Sequence, residues 1–281
     1  MEEHDVTING INMHYADWNG AGEALVCVHG LTANCRYFDS LGERLSPEYR
    51  VIAYDLRGRG NSGKPPKGYN VIRHAADLEA LLDALSLKSV TLAGHSLGAG
   101  ISAFFTAHFP ERVHKLVLID GGGGGPLADY DVLFESIRPM VDRLRAKYPS
   151  VAEYLKFMRS EYGEENWTGY MESVYAYDAG LNDDGSVSPK MSAETAIEDF
   201  YALKNYDALN AFPRIQCPTL FLRAPENYLG SPPIVNRAAA EFIAQAIANC
   251  TLVDVEGTNH ATLLLGEGST ASEAIRAFLK V

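Results

Sequence analysis

A chain of 281 residues, 47% hydrophobic and 21% charged, can bury one sizeable core with an insertion and lies far from the composition of a disordered segment. Its formal net charge of -12 makes a phosphate backbone a poor partner, so nucleic acid is not expected. The acidic start Met1-Glu2-Glu3-His4-Asp5 lacks a secretory signal's basic and apolar regions, and no run approaches the ~18 apolar residues of a membrane span, which together predict a cytoplasmic chain.

Short apolar runs alternate with longer amphipathic stretches, the pattern of strands alternating with helices in a largely parallel sheet. The first two predicted strands, 7–11 and 13–16, form a hairpin around Asn9-Gly10, a pair suited to a two-residue turn. Further strands are predicted at 24–29, 50–54, 89–93, 115–119, 218–222 and 250–255. Helices are predicted at 70–85, at 99–109 where Pro110 stops the chain, at 236–247 and at 271–279. Residues 1–120 and 211–281 are thus read as one body. From 121 to 210 the rhythm changes: five glycines, Gly121 to Gly125, precede helical segments with no convincing strand, predicting an inserted helical cap. The thirteen aromatics between Tyr130 and Tyr206 can line a pocket, although most are expected to pack the cap onto the body.

Cys27, Cys35, Cys217 and Cys250 form no CxxC pair and have no metal-like spacing with histidine, so neither a metal site nor a redox motif is predicted, only reduced and mostly buried thiols. Of the eight histidines, His4, His14, His74, His108 and His114 fall in the terminus, the hairpin or helical surfaces and are expected to be solvated or locally bonded.

The strongest chemical signal is Gly94-His95-Ser96-Leu97-Gly98, directly after the apolar run 90–93 and at the start of a helix. A serine on a sharp strand-to-helix turn needs glycines two positions either side so that the backbones can pass, and the turn presents Oγ at the carboxyl edge of the sheet. The hydroxyl needs a base, and His260, in the loop after the last predicted strand, is placed to supply it. The developing oxyanion needs donors: the strand ending at His29-Gly30-Leu31-Thr32 offers the backbone N–H of Leu31, to pair with that of Leu97.

These residues resemble the α/β-hydrolase superfamily, in its branch of capped serine esterases and lactonases. His29-Gly30, the turn Asp55-Leu56-Arg57-Gly58-Arg59-Gly60-Asn61-Ser62 and Pro218-Thr219-Leu220 extend the resemblance over nearly the whole chain. It implies an α/β fold with helices on both faces of the sheet, and a serine–histidine–acid triad acting without cofactor on a small-molecule ester or lactone of largely apolar character. The acid departs from the commonest pattern, because Asn227 stands where an aspartate usually follows the strand at 218–222, and an amide carries no charge to stabilise an imidazolium. The leading candidate is Asp120, at the end of the preceding strand, with Glu226 as the alternative and Asp254 a weaker third. Carbon–carbon hydrolysis, amidase chemistry, perhydrolysis and a ligand receptor on the same fold stay open as alternatives.

Overall fold

The computed structural model describes residues 1–122, 130–204, 208–268 and 270–280, with residues 204, 208 and 209 by backbone alone. Gly123 to Gly125 of the glycine run, and Tyr206, therefore lie outside the described residues. Eight strands form one sheet: β1 (Glu2–Ile8), β2 (Ile11–Asp17), β3 (Ala24–Val28), β4 (Arg50–Tyr54), β5 (Val90–His95), β6 (Val113–Ile119), β9 (Thr219–Arg223) and β10 (Cys250–Asp254). Their order across the sheet is β1-β2-β4-β3-β5-β6-β9-β10. The β1–β2 hairpin and its contact with β4 are antiparallel, and every later pairing is parallel. The hairpin turns on Asn9 and Gly10, both with positive φ (47° and 77°), the conformation a tight two-residue turn requires. Its first strand begins at Glu2 and stops before the turn, so the sequence expectation of 7–11 was displaced.

The helices follow from capping and period. In the body they are α1 (Asp39–Leu45), α2 (Val71–Ala84), α3 (Leu97–His108), α9 (Arg237–Ala246), α10 (Thr262–Leu265) and α11 (Thr270–Leu279); in the insertion, α4 (Tyr130–Asp142), α5 (Val151–Tyr162), α6 (Gly169–Asp178), α7 (Ala193–Lys204) and α8 (Ala208–Ala211). The side chain of Asn70 accepts from the Arg73 N–H at 2.9 Å and that of Asn236 from Ala239 at 2.8 Å, which fixes the starts of α2 and α9. Apolar residues of α2, α3 and α9, including Leu78, Phe105 and Ile243, pack on one face of the sheet, while Leu41, Leu45, Ile275 and Leu279 of α1 and α11 cover the other. With both faces covered, β5 is buried along its whole length, Thr91 and His95 included.

Between β6 and β9 the insertion contains a short antiparallel pair, β7 (Ala179–Leu181) and β8 (Val187–Pro189), where sequence reading expected no strand. Three-residue strands are too short to display a period of two. The insertion is tied down by buried polar contacts. Asp199 of α7 pairs with Arg59 and accepts from His74 Nε2 at 2.9 Å, all three fully or almost fully buried. Beside them, Glu198 accepts the backbone N–H groups of Gly68 and Tyr69 at 2.9 and 3.0 Å. His74 is thus not a solvated surface residue, as expected from its helix, because its partner lies 125 positions away. His14, expected to be solvated or locally bonded, is buried and lies 3.1 Å from the Asp5 carboxylate across the hairpin. Among the described residues no helix is long and apolar enough to cross a membrane.

Candidate active site

Chain order reverses at β3, which lies between β4 and β5, and such a switch leaves a crevice outside the carboxyl ends of the strands. The chemistry-bearing residues gather there. Ser96 follows β5 directly and is the N-cap residue of α3, with φ 56° and ψ −118°, a strained conformation for a side chain bearing Cβ. Its flanking glycines are obligatory: a Cβ at Gly94 would lie 2.2 Å from the Gly98 carbonyl oxygen, and one at Gly98 would lie 2.0 Å from that of Val28. The Ser96 N–H donates to the Ile119 carbonyl at 3.0 Å, tying the turn to the neighbouring strand.

Asp120 directly follows β6 and is fully buried, with a φ of 43° that aspartate tolerates better than most residues. One carboxylate oxygen accepts the Ala224 N–H at 3.1 Å, and the other lies 2.7 Å from His260 Nδ1. His260 itself is 8% exposed and is held from three sides. Asp120 fixes one ring nitrogen, Tyr228 meets the ring edge-on at 5.2 Å, and His95 packs against it at 4.5 Å. His95 Nε2 also donates to the His260 carbonyl at 3.0 Å, and burial pushes the His95 ring well below the ordinary histidine range, keeping it neutral. Burial likewise pushes His29 down to about 4. His29 Nε2 accepts the Leu56 N–H at 3.0 Å, so its proton sits on Nδ1, donating to the Gly30 carbonyl at 2.8 Å.

Leu31 and Leu97 both line the crevice, and Leu97, as the first residue of α3, carries one of the helix's unpaired N–H groups. The structure does not bring the alternative acids to the histidine. Glu226 is exposed, and only its backbone N–H reaches the His260 loop, donating to Thr258 at 3.0 Å; the neighbouring Asn227 is also exposed. Asp254 is paired with Arg223 at 3.0 Å and Arg237 at 2.7 Å.

The crevice opens into a cavity of about 340 Å³, with Ser96, Asp120 and His260 at its floor and mainly apolar side chains of the insertion, such as Leu133, Ile137, Met140 and Val174, across from them. Of the insertion's aromatics, the described ones at the cavity are Tyr162, Tyr175 and Phe200; Tyr148, Tyr154 and others pack elsewhere. Sequence reading missed Tyr37 and Tyr228, which line the cavity from the body. Tyr37 lies in a short 3-10 turn with no periodic signal, and Tyr228 precedes a turn in which Leu229 takes a positive φ that its residue type does not advertise.

Among the described residues, one buried group brings metal-ligand atom types within 4.8 Å of one another: His14, Cys35 and Asp55. Asp55 is already engaged there, accepting the N–H groups of Cys35 and Asn61, each at 2.8 Å, and the Tyr177 hydroxyl at 2.5 Å. Burial pushes the Cys35 thiol well up, so it rests protonated, and the group serves to pin loops of the body to the insertion.

A family model described as alpha/beta hydrolase fold matches residues 23–267. A 2-(acetamidomethylene)succinate hydrolase of Mesorhizobium japonicum is 28% identical over 86% of this chain and 82% of its own, and a non-heme chloroperoxidase of Streptomyces lividans is 30% identical over 92% of each. Uncharacterized mycobacterial proteins are 38% identical across 104 residues, and the match spans 30% of their length. A crystal structure of E-2-(acetamidomethylene)succinate hydrolase superposes with a TM-score of 0.88 at 24% identity, covering 100% of this chain and 99% of that one, a likeness of fold.

Proposed function

The chain belongs to the α/β-hydrolase fold family, and on that premise we propose that it is a serine hydrolase that cleaves a carboxylic ester or lactone through an acyl-Ser96 intermediate. Ser96 Oγ attacks the carbonyl carbon as its proton passes to His260 Nε2, and Asp120 stabilises the resulting imidazolium through Nδ1–H. The N–H groups of Leu31 and Leu97 receive the oxyanion, worth ~3–4 kcal/mol each in such sites. The imidazolium then protonates the leaving alkoxide; a water, deprotonated by His260, frees the acid and restores Ser96.

The observation that carries this reading is the 2.7 Å pair of Asp120 and His260 at the sheet edge where Ser96 occupies its strained turn. Residues 121–210 act as a cap that closes the acyl pocket. A second reading, amide cleavage by the same residues, is favoured by the relative named for an acetamido compound. Hydrolysis of p-nitrophenyl acetate and butyrate, beside small lactones and anilides, tests both. Turnover with a p-nitrophenolate burst that vanishes in Ser96→Ala supports the ester reading. Ser96-dependent release from anilides alone moves the assignment to amides, and no Ser96-dependent turnover on any of them overturns it.

A further inference from the structure

One wall of the cavity is a cluster of phenols. Tyr162 Oη lies 2.7 Å from Tyr175 Oη and 3.2 Å from Tyr228 Oη, and all three residues are more than nine-tenths buried and line the cavity. Burial pushes each phenol up from its ordinary range, so all three are protonated donors. Three O–H groups share two phenol–phenol bonds. Either an end phenol keeps its proton free, or Tyr162 gives its own to the Met140 sulfur 4.0 Å away, a weak acceptor. A buried donor without a good acceptor is costly to leave so, and a ligand oxygen would relieve it.

The described lining of the same cavity offers no cationic side chain to compensate a bound anion. Among the described side chains that line it there is no lysine or arginine. The residues outside the described set, 123–129, 205–207, 269 and 281, add none by sequence, and Lys204 is the cation whose side chain is not described. Arg143 sits behind the wall, its guanidinium 5.3 Å over the Tyr175 ring, but it is paired with Asp178 at 3.0 Å, donates to the Thr32 carbonyl at 3.1 Å, and does not reach the cavity lining. Asp120 already places one carboxylate at the floor. Burying a second, unpaired carboxylate in such a site is strongly unfavourable.

We propose that the site takes an uncharged substrate with a hydrogen-bond acceptor remote from the scissile carbonyl, seated on the Tyr162–Tyr175–Tyr228 cluster, and that it rejects dicarboxylates of the succinate kind named for its relative. This rests on the acyl-transfer reading of the site above. The test uses three methyl esters of four-carbon acids: methyl butyrate, dimethyl succinate and monomethyl succinate, which end in a methyl group, a neutral ester and a carboxylate. At pH 7.5 the neutral diester is expected to have the highest kcat/KM and the anion one lower by about 100-fold or more. Tyr162→Phe is expected to shrink the preference for dimethyl succinate over methyl butyrate about 5- to 10-fold, through KM rather than kcat.

Binding to folded Ser96→Ala, by calorimetry with the diester and the monoester, separates the two readings. If none of the esters is turned over but the diester binds and the monoester does not, the ester assignment fails and the neutral-substrate inference stands. Equal or tighter binding of the monoester, binding of neither, or an unchanged preference in Tyr162→Phe overturns it.

Discussion

Replacing Asp120 by asparagine is the sharpest perturbation of the candidate triad, because the surroundings dictate how the amide must sit. One oxygen of Asp120 accepts the Ala224 N–H at 3.1 Å, and the other faces His260 Nδ1 at 2.7 Å. If the asparagine keeps its oxygen on Ala224, its NH₂ faces Nδ1 and forces the imidazole to carry its proton on Nε2, the nitrogen that should act as base. If it flips, two donors oppose each other at Ala224 in a fully buried site. The first arrangement loses the productive tautomer; the second keeps it but pits two buried donors against each other and supplies no charge to stabilise the imidazolium, and an acid-to-amide change of this kind lowers kcat by about 10⁴-fold, or ~5 kcal/mol of transition-state stabilisation. Steady-state kinetics on p-nitrophenyl butyrate for wild type, Asp120→Asn and Glu226→Gln, each checked for folding by circular dichroism, reads this directly. An Asp120→Asn enzyme within ten-fold of wild type, or a larger loss in Glu226→Gln, would refute the assignment of the acid.

Two further outcomes concern stability. Ser96→Gly should abolish turnover yet raise the unfolding free energy by about 1 kcal/mol, because glycine removes the Cβ from a backbone at φ 56°; urea titration showing a loss of stability would contradict the strain argument. Asp199→Asn should cost about 3–5 kcal/mol, because it leaves Arg59 buried without its counter-charge. Burial alone would raise the Asp199 carboxyl, but Arg59 and His74 outweigh it and hold it at about 2, below the ordinary 3.8. Its contribution of about 2–3 kcal/mol is therefore complete above about pH 5 and fades as pH falls from there toward 2, so the acid limb of the wild-type stability curve should flatten in Asp199→Asn.

What could be read from the sequence was what local physics decides. The apolar run into Gly94-His95-Ser96 announces a buried strand and a turn that only glycine neighbours permit, Asn9-Gly10 announces its hairpin, and Asn70 and Asn236 stand where the helix caps fall. What could not be read depends on partners remote in the chain. The short helix α1 and the three-residue strands β7 and β8 offer too few residues for a period. His74 is buried because α7 brings Asp199 to it, and the phenol cluster joins residues 162, 175 and 228 of three separate segments. The choice between Asp120 and Glu226 was of this kind too: both follow strands of the same sheet, and only the path of two loops decides which carboxylate meets His260.

The hydrogen bond from His95 to the His260 carbonyl links the residue before Ser96 to the main chain of His260. Ser96 and His260 are thus positioned by one shared tether rather than by two loops fluctuating on their own. For the 256–261 segment to swing away, that bond and the ring contact beside it must both break, so its opening and the loss of a working site become a single event with a single rate. Amide hydrogen exchange at Ala261 and the decay of activity on mild heating should then report the same opening equilibrium.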